Sequence, residues 1–146
     1  MRYKMIYILF LIFLLITIPY VITVFLSQQD KNIQFENYDS GYQVISGNDK
    51  DDLETYLLKI LPGQISMDQE NEAVKAQAVI LRTDIIRRME NKKQIARQKL
   101  PYTTYENSEY RKKLGNRSYQ SMDQKRKKSV SETRGKVITY KNKLIE

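Results

Sequence analysis

The chain has 146 residues and a formal net charge of +8, which leaves room for one modest domain. It has no cysteine, so disulfide frameworks and thiolate metal sites are excluded, and no histidine, the commonest zinc ligand and general base. Any chemistry must therefore use carboxylates, amides, hydroxyls or lysine, and we expect neither a metal nor a cofactor.

The first predicted element is a transmembrane helix over residues 5–26, a run without a single charge. At about 1.5 Å per residue such a run spans a hydrocarbon core of about 30 Å. It is longer than the usual signal-peptide core of about 7–15 residues, and no small-residue cleavage site follows Leu26, so we favour an uncleaved anchor over a cleaved signal. Arg2 and Lys4 precede the run. The positive-inside rule therefore predicts a single-pass protein of the cell membrane, with residues 1–4 as a cytoplasmic tip and the rest extracytoplasmic.

Residues 27–50 are polar and are predicted to form a stalk with one short strand at 42–45. Asp51 and Glu54 have the spacing of a capping box and predict a helix that starts there. Pro62-Gly63 is predicted to end that helix.

A second soluble helix is predicted over about residues 69–90. Ser66 and Gln69 offer another capping box, and Asp68 is a competing N-cap. Apolar residues recur at helical spacing and form one stripe with two neighbours beside it. The stripe is Val74, Ala78, Leu81, Ile85 and Met89, and the neighbours are Ala73 and Ile80.

Periodicity fades after this helix, and residues 91–121 are predicted to be an irregular surface region. A helix is predicted at 121–133, with Gly135 placed to end it. An alternating strand at 136–140 is predicted to turn into the start of a second strand at 143–145.

Charge divides the chain after its apolar segment. Residues 27–90 carry 7 basic and 12 acidic side chains, net −5, whereas residues 91–146 carry 16 basic and 5 acidic ones, net +11. A basic surface with tyrosines ordinarily indicates nucleic acid. The predicted topology instead leaves lipid headgroups, teichoic acids and peptidoglycan stems as the available polyanions, so we expect no nucleic-acid partner. A solvated charged face explains the charge equally well.

Residues 53–83 read LETYLLKILPGQISMDQENEAVKAQAVILRT. This stretch resembles the stage II sporulation protein D family of cell-wall lytic transglycosylases, which carries Glu-Ala-Leu-Lys-Ala-Gln-Ala-Val-x-Ala-Arg-Thr-Tyr. Residues 72–79 and Arg82-Thr83 match that motif with little change. Residues 129–140, SVSETRGKVITY, are similar to the family's Ala-Val-x-x-Thr-x-Gly-x-Val-Leu-x-Tyr element. The resemblance covers roughly residues 42–146.

The resemblance implies a catalytic position. The family's general acid/base is a glutamate in the loop between the two helices, and alignment on Pro-Gly and the downstream helix places Gln64 there. A raised-pKa glutamic acid can protonate the glycosidic oxygen and then deprotonate the muramyl 6-hydroxyl, whereas an amide cannot exchange a proton at any useful pH. We therefore expect a weak or inactive transglycosylase. Asp68, Glu70 and Glu72 lie nearby, but helix capping and favourable charge at a helix N-terminus explain them better.

Four polar residues of the central motif are candidates for binding substrate or supporting the loop, and we favour the supporting role: Glu72, Lys75, Gln77 and Arg82. The partners implied by the resemblance are peptidoglycan glycan strands, the membrane, and a peptidoglycan amidase with membrane proteins of an engulfment-type complex. Two hypotheses stand: a membrane-anchored lytic transglycosylase, and a non-catalytic peptidoglycan-binding or scaffold protein.

The predicted fold class is α+β, with one N-terminal transmembrane helix followed by a small, incomplete mixed helix/strand domain over residues 51–146. The family domain normally continues through a Ser-Gly-Gly-containing segment, which this chain does not reach. We expect a fragment, a truncated gene product or a degenerate paralogue, with marginal stability unless a partner completes the core.

Overall fold

A computed structural model describes residues 2–29, 39–141 and 143–145, and the chain divides into two compact units, Met1–Gln34 and Phe35–Glu146. The first unit contains helix α1, Arg2–Gln29, which includes the predicted membrane span. Its segment Ile6–Thr23 is long enough and apolar enough to cross a membrane, and none of that segment is buried within the protein. The predicted stalk falls partly on residues 30–38, which lie outside the described residues.

The second unit mixes helices and short strands, which confirms the α+β prediction. Its elements in chain order are β1 Gln43–Ser46, β2 Asp49–Asp52, α2 Leu53–Gln64, α3 Asn71–Arg88, β3 Gln94–Ala96, a 3₁₀ turn Arg97–Lys99, α4 Asn107–Leu114, α5 Asn116–Glu132, β4 Thr139–Tyr140 and β5 Lys143–Leu144. Strand β1 lies between β2, which is antiparallel to it, and β3, which is parallel. Strands β4 and β5 form a separate antiparallel pair.

Helices α2, α3 and α5 enclose the core together with β1. The stripe predicted on α3 is buried as expected. The two neighbours predicted beside it are exposed, because the buried face of α3 is narrower than the apolar pattern. The innermost side chains, all less than 2 % exposed, include Val44, Leu57, Ile60, Leu61, Val74, Ala78, Ile85 and Val130.

The strand predicted at 42–45 is confirmed by β1, and a two-residue turn at Gly47-Asn48 connects it to β2. Gly47 has φ +62°, a conformation that favours glycine and suits a tight hairpin. Strand β2 was missed because its four residues, Asp-Lys-Asp-Asp, have no apolar side chain. Charged residues on an edge strand oppose pairing with other chains.

Both predicted helix starts are displaced. Asp52, not Asp51, is the N-cap of α2, and its Oδ1 accepts a hydrogen bond from the Glu54 N–H at 2.9 Å. Helix α3 begins at Asn71 with Glu70 at the N-cap position, so neither capping interpretation of residues 66–69 is correct. The predicted end of α2 is also wrong, because the helix continues through residues 62–63 to Gln64.

The region predicted to be irregular, residues 91–121, instead contains β3, the 3₁₀ turn, α4 and the start of α5. Helix α5 begins at Asn116 rather than at residue 121, directly after Gly115 with φ +74°. The C-terminal strand is shorter than predicted, covering only residues 139–140, and Asn142 in its turn lies outside the described residues.

Asp84 joins α3 to the segment that follows the 3₁₀ turn. Its carboxylate accepts hydrogen bonds from the Tyr102 hydroxyl and from the guanidinium groups of Arg87 and Arg88. Burial raises the pKa of Asp84, but these hydrogen bonds outweigh burial and lower it to about 2.

Candidate functional site

Gln64 is the last residue of α2, and its side chain is exposed. The Ile65 N–H donates to the Leu61 carbonyl at 3.2 Å and closes the last turn. The loop to α3 is fixed from beneath by the buried side chain of Met67. It is also fixed from the side, where the ammonium of Lys125 donates to the Gln69 carbonyl. Gln64 therefore directly precedes a loop that is held in place by the contacts of Met67 and Lys125.

Pro62 lies inside α2 and has no N–H to donate to the carbonyl four residues earlier, that of Leu58. The Nη1 of Arg126 supplies the missing hydrogen bond at 3.0 Å. Arg126 is 1 % exposed, so this donor comes from the interior, where an unpaired carbonyl would be costly. The side chain from α5 thus allows α2 to continue past its proline.

Arg126 is itself held on several sides. Its Nη2 donates to Asn107 Oδ1 at 3.0 Å and to the Asp123 carboxylate, and its guanidinium lies 5.1 Å from the centre of the Tyr110 ring. Asp123 also pairs with Lys127 at 2.7 Å. A buried guanidinium with a carboxylate, an amide and an aromatic face around it is fixed in position.

A second contact holds the same end of α2. The Tyr105 N–H donates to the Lys59 carbonyl at 2.8 Å. The Tyr105 ring lies against Gly63, where an added Cβ would come within 2.9 Å of its Cε2 atom. Residues 62–63 therefore do not stop the helix. At these two residues, α5 and the 103–105 segment pack closely against the end of α2 that carries Gln64.

Arg82 makes a buried ion pair at the other end of α2. Its Nε and Nη2 donate to the two carboxylate oxygens of Glu54 at 2.8 and 2.7 Å, and both side chains are 1 % exposed. Its Nη1 donates to the Lys136 carbonyl at 3.1 Å. The next residue, Thr83, accepts a hydrogen bond at Oγ1 from the Ile138 N–H at 2.9 Å. Arg82 and Thr83 thus attach the segment after α5 to the core.

Lys75 and Glu72 lie on the surface of α3. The Lys75 ammonium contacts Glu132 of α5 at 2.6 Å and Glu72 at 2.8 Å. Hydrogen bonds to Glu132 and then to Glu72 raise the pKa of Lys75 to about 12. Gln77 is half-buried on α3.

A family model described as SpoIID, Stage II sporulation protein, matches residues 38–140. The chain belongs to the SpoIID family. The resemblance seen in residues 53–83 and 129–140 is thereby confirmed, and family membership supports a sporulation-related cell-wall protein. Searches of curated proteins and of solved structures gave no match.

In this SpoIID protein the two motif-bearing regions contact each other through Arg82 and Thr83 of the first and residues 133–138 of the second. Within the described residues, no hydrogen bond or ion pair links Gln64 to Glu72, Lys75, Gln77 or Arg82. The polar residues of the motif therefore have different surroundings. Arg82 makes buried contacts in the core, whereas Glu72, Lys75 and Gln77 lie on the surface of α3.

Sequence reasoning missed the residues that fix the end of α2 in the SpoIID chain, namely Arg126 and Tyr105. A proline inside a helix is a signal that some other donor must satisfy the carbonyl four residues earlier, but it does not say which residue supplies it. The described residues contain no group of three or more acidic side chains placed to hold a metal ion.

Proposed function

We propose that this SpoIID protein is a membrane-anchored cell-wall remodelling protein that binds peptidoglycan glycan strands and is weak or inactive as a lytic transglycosylase. The observation that carries the proposal is the position of Gln64. It is exposed at the end of α2, and that end is held by Arg126 and Tyr105. The residue that we align with the family's acid/base glutamate is therefore an amide, and contacts with Arg126 and Tyr105 support the helix end that carries it.

The expected loss of activity follows from proton transfer. Cleavage needs a proton on the glycosidic oxygen, and ring closure needs a proton removed from the muramyl 6-hydroxyl. A side chain must exchange protons near the working pH to do both. The Gln64 amide can donate and accept hydrogen bonds to a sugar, but it does not exchange protons.

Nearby carboxylates are poor substitutes. A hydrogen bond from Ser66 lowers the pKa of Asp68, which is the opposite of what a general acid needs. Glu70 is exposed, and Glu72 is 83 % exposed and paired with Lys75.

The decisive experiment incubates the full chain in detergent micelles with purified sacculi and measures anhydromuropeptides by mass spectrometry. We expect none above background from the native chain. Gln64→Glu is expected to produce them, whereas Gln69→Glu, which adds the same charge to the same loop, is expected not to. Anhydromuropeptides from the native chain in amounts equal to those from Gln64→Glu would contradict the proposed weak or absent activity.

A purely non-catalytic role, as a peptidoglycan-binding scaffold in a wall-remodelling complex, is the second candidate function. It is supported by the hydrogen-bonding capacity of Gln64 and by the exposed loop that follows this residue. It is tested by co-sedimentation with insoluble peptidoglycan. We expect the native chain to be retained, and failure to retain any of it would count against both candidates.

The membrane part of the proposal is supported by the length and apolar character of α1. We propose an N-terminus in the cytoplasm and an extracytoplasmic second unit, with a peptidoglycan amidase and membrane proteins of an engulfment-type complex as partners. Protease added to intact protoplasts should digest the second unit. Its complete protection would refute the orientation.

A further inference from the structure

A cavity of about 380 Å³ opens in the second unit between the β1–β2 hairpin, α2 and the 97–106 segment. Its lining is largely polar, and Gln64 does not contribute to it. Its size is within the usual range for pockets that bind small molecules, about 300–1,000 Å³. Two of its lining residues also belong to the surroundings of the site described above: Lys59, whose backbone carbonyl binds Tyr105, and Thr104 of the 103–105 segment.

Tyr56 in the cavity wall carries a buried hydroxyl that has no hydrogen-bond partner among the described residues. The residue is 1 % exposed. Buried polar groups are nearly always paired, so this hydroxyl is a candidate hydrogen-bond donor to a bound molecule. Burial raises the pKa of Tyr56, which keeps the hydroxyl protonated and able to donate.

The charged groups in the wall fall into two sets. In the first set, Lys59 pairs with Asp51 at 2.8 Å and with Glu106 at 3.4 Å. These three side chains neutralise much of one another's charge and stiffen the wall. With one cation and two carboxylates, the set carries a formal net charge of −1.

The second set has no such internal pairing. Lys50, Arg97 and Asp49 also line the cavity, and none of them makes an ion pair with a described residue. Arg97 donates from Nη2 to the Thr104 hydroxyl, which leaves other guanidinium N–H groups available. The wall therefore offers two cations and one carboxylate, and a planar guanidinium is well suited to a carboxylate partner.

We propose that this cavity binds a small zwitterionic ligand, either an amino acid or the charged end of a short peptide. The ligand carboxylate is bound by Arg97 and Lys50 and its ammonium group by Asp49, while the Tyr56 hydroxyl donates to a ligand oxygen. This site is independent of Gln64 and of the glycan chemistry proposed above, since it shares no side chain with either.

The test titrates the dipeptide alanyl-alanine into the full chain in detergent micelles and follows binding by saturation-transfer NMR. We expect saturable binding that Arg97→Gln weakens by about tenfold or more, because a charge-assisted contact is lost. Lys99→Gln is the matched control, because it removes an exposed cation from the same 3₁₀ turn but outside the cavity. It should leave the dissociation constant within about twofold.

Tyr56→Phe separates a binding role from a structural one. Removal of a buried, unpaired hydroxyl is expected to leave the unfolding midpoint of the unliganded chain unchanged or higher, while the affinity falls several-fold. A lower midpoint with unchanged affinity would overturn the role of the hydroxyl.

The neutral analogue N-acetyl-alanyl-alanine amide tests the ligand class. We expect it to bind at least about tenfold more weakly than alanyl-alanine. Equal binding of the two, equal losses from Arg97→Gln and Lys99→Gln, or no saturable binding of the dipeptide would each overturn the proposal.

Discussion

Replacement of Arg126 by methionine keeps the length of the side chain and removes every hydrogen-bond donor. The Leu58 carbonyl, which Pro62 cannot serve, would be left buried and unpaired, at a cost of about 1–3 kcal/mol. Asp123 would lose its buried partner but keep Lys127 at 2.7 Å, so its contribution stays below that of a fully isolated charge. We expect the free energy of unfolding to fall by about 3–5 kcal/mol in total.

A double-mutant cycle with Pro62 isolates the part of this destabilisation that arises because the proline has no N–H. Pro62→Ala restores an N–H to the helix and gives the Leu58 carbonyl a donor of its own. Arg126→Met should therefore cost about 1–2 kcal/mol less in the Pro62→Ala chain than in the native chain. The remaining cost reports the contacts with Asp123 and Tyr110.

The measurement is urea unfolding of the full chain in micelles, followed by near-ultraviolet circular dichroism of the tyrosines. Arg111→Met is the matched control. It removes an exposed arginine whose guanidinium lies 5.9 Å from the Tyr119 ring centre, and it should cost less than about 1 kcal/mol. If Pro62→Ala changes the cost of Arg126→Met by less than about 0.5 kcal/mol, then Arg126 does not act by satisfying the Leu58 carbonyl.

Three further substitutions test the buried contacts of the core and the close packing at Gly63. Glu54→Gln removes the charge that pairs with buried Arg82. In urea titrations it should lower the free energy of unfolding by about 3–5 kcal/mol. A change near zero would show that the ion pair is dispensable for stability. The pKa of Asp84 in the folded protein is lowered from 3.8 to about 2. The ionised carboxylate therefore stabilises the fold by about 2 kcal/mol above about pH 4. This stabilisation is lost as the pH falls towards 2. The difference in unfolding free energy between the native chain and Asp84→Asn should shrink over that interval, and a constant difference would contradict the assignment. Gly63→Ala should lower the free energy of unfolding by about 1–3 kcal/mol, because the added Cβ would come within 2.9 Å of the Tyr105 ring. In a Tyr105→Ala chain the same substitution should raise the free energy of unfolding, because alanine suits a helix better than glycine. A change of the same sign in both chains would exclude this steric cause.

Apolar periodicity predicted the features that depend on local spacing. The buried stripe from Val74 to Met89 follows from a 3.6-residue repeat, and that repeat is a property of the helix itself. A short strand was also predicted at residues 42–45 and is found as β1. Strand β2 was not predicted, because its pairing with β1 depends on the turn at Gly47 rather than on its own polar side chains.

Errors occurred where a distant residue decides the local structure. Glu54 has the spacing of a capping-box residue, but its carboxylate turns inward to Arg82, which lies 28 positions further along the chain. Pro62 has the local signature of a helix end, but Arg126, 68 positions after Leu58, keeps the helix going. The polar helix α5 gave a weak apolar signal because part of its buried face is made of charged and hydroxyl groups. No short-range pattern contains these partners.

The same long-range contacts determine what a substitution at Gln64 can show. One buried guanidinium, that of Arg82, holds the start of α2, and another, that of Arg126, holds the turn before its end. Gln64 itself is exposed and makes no hydrogen bond with its side chain to the described residues, so Gln64→Glu changes the chemistry at this position without disturbing the core. A stable Gln64→Glu chain that still fails to cleave glycan strands would therefore mean that the missing proton donor is not the only obstacle. The groups that orient a sugar would then have to be sought outside the end of α2.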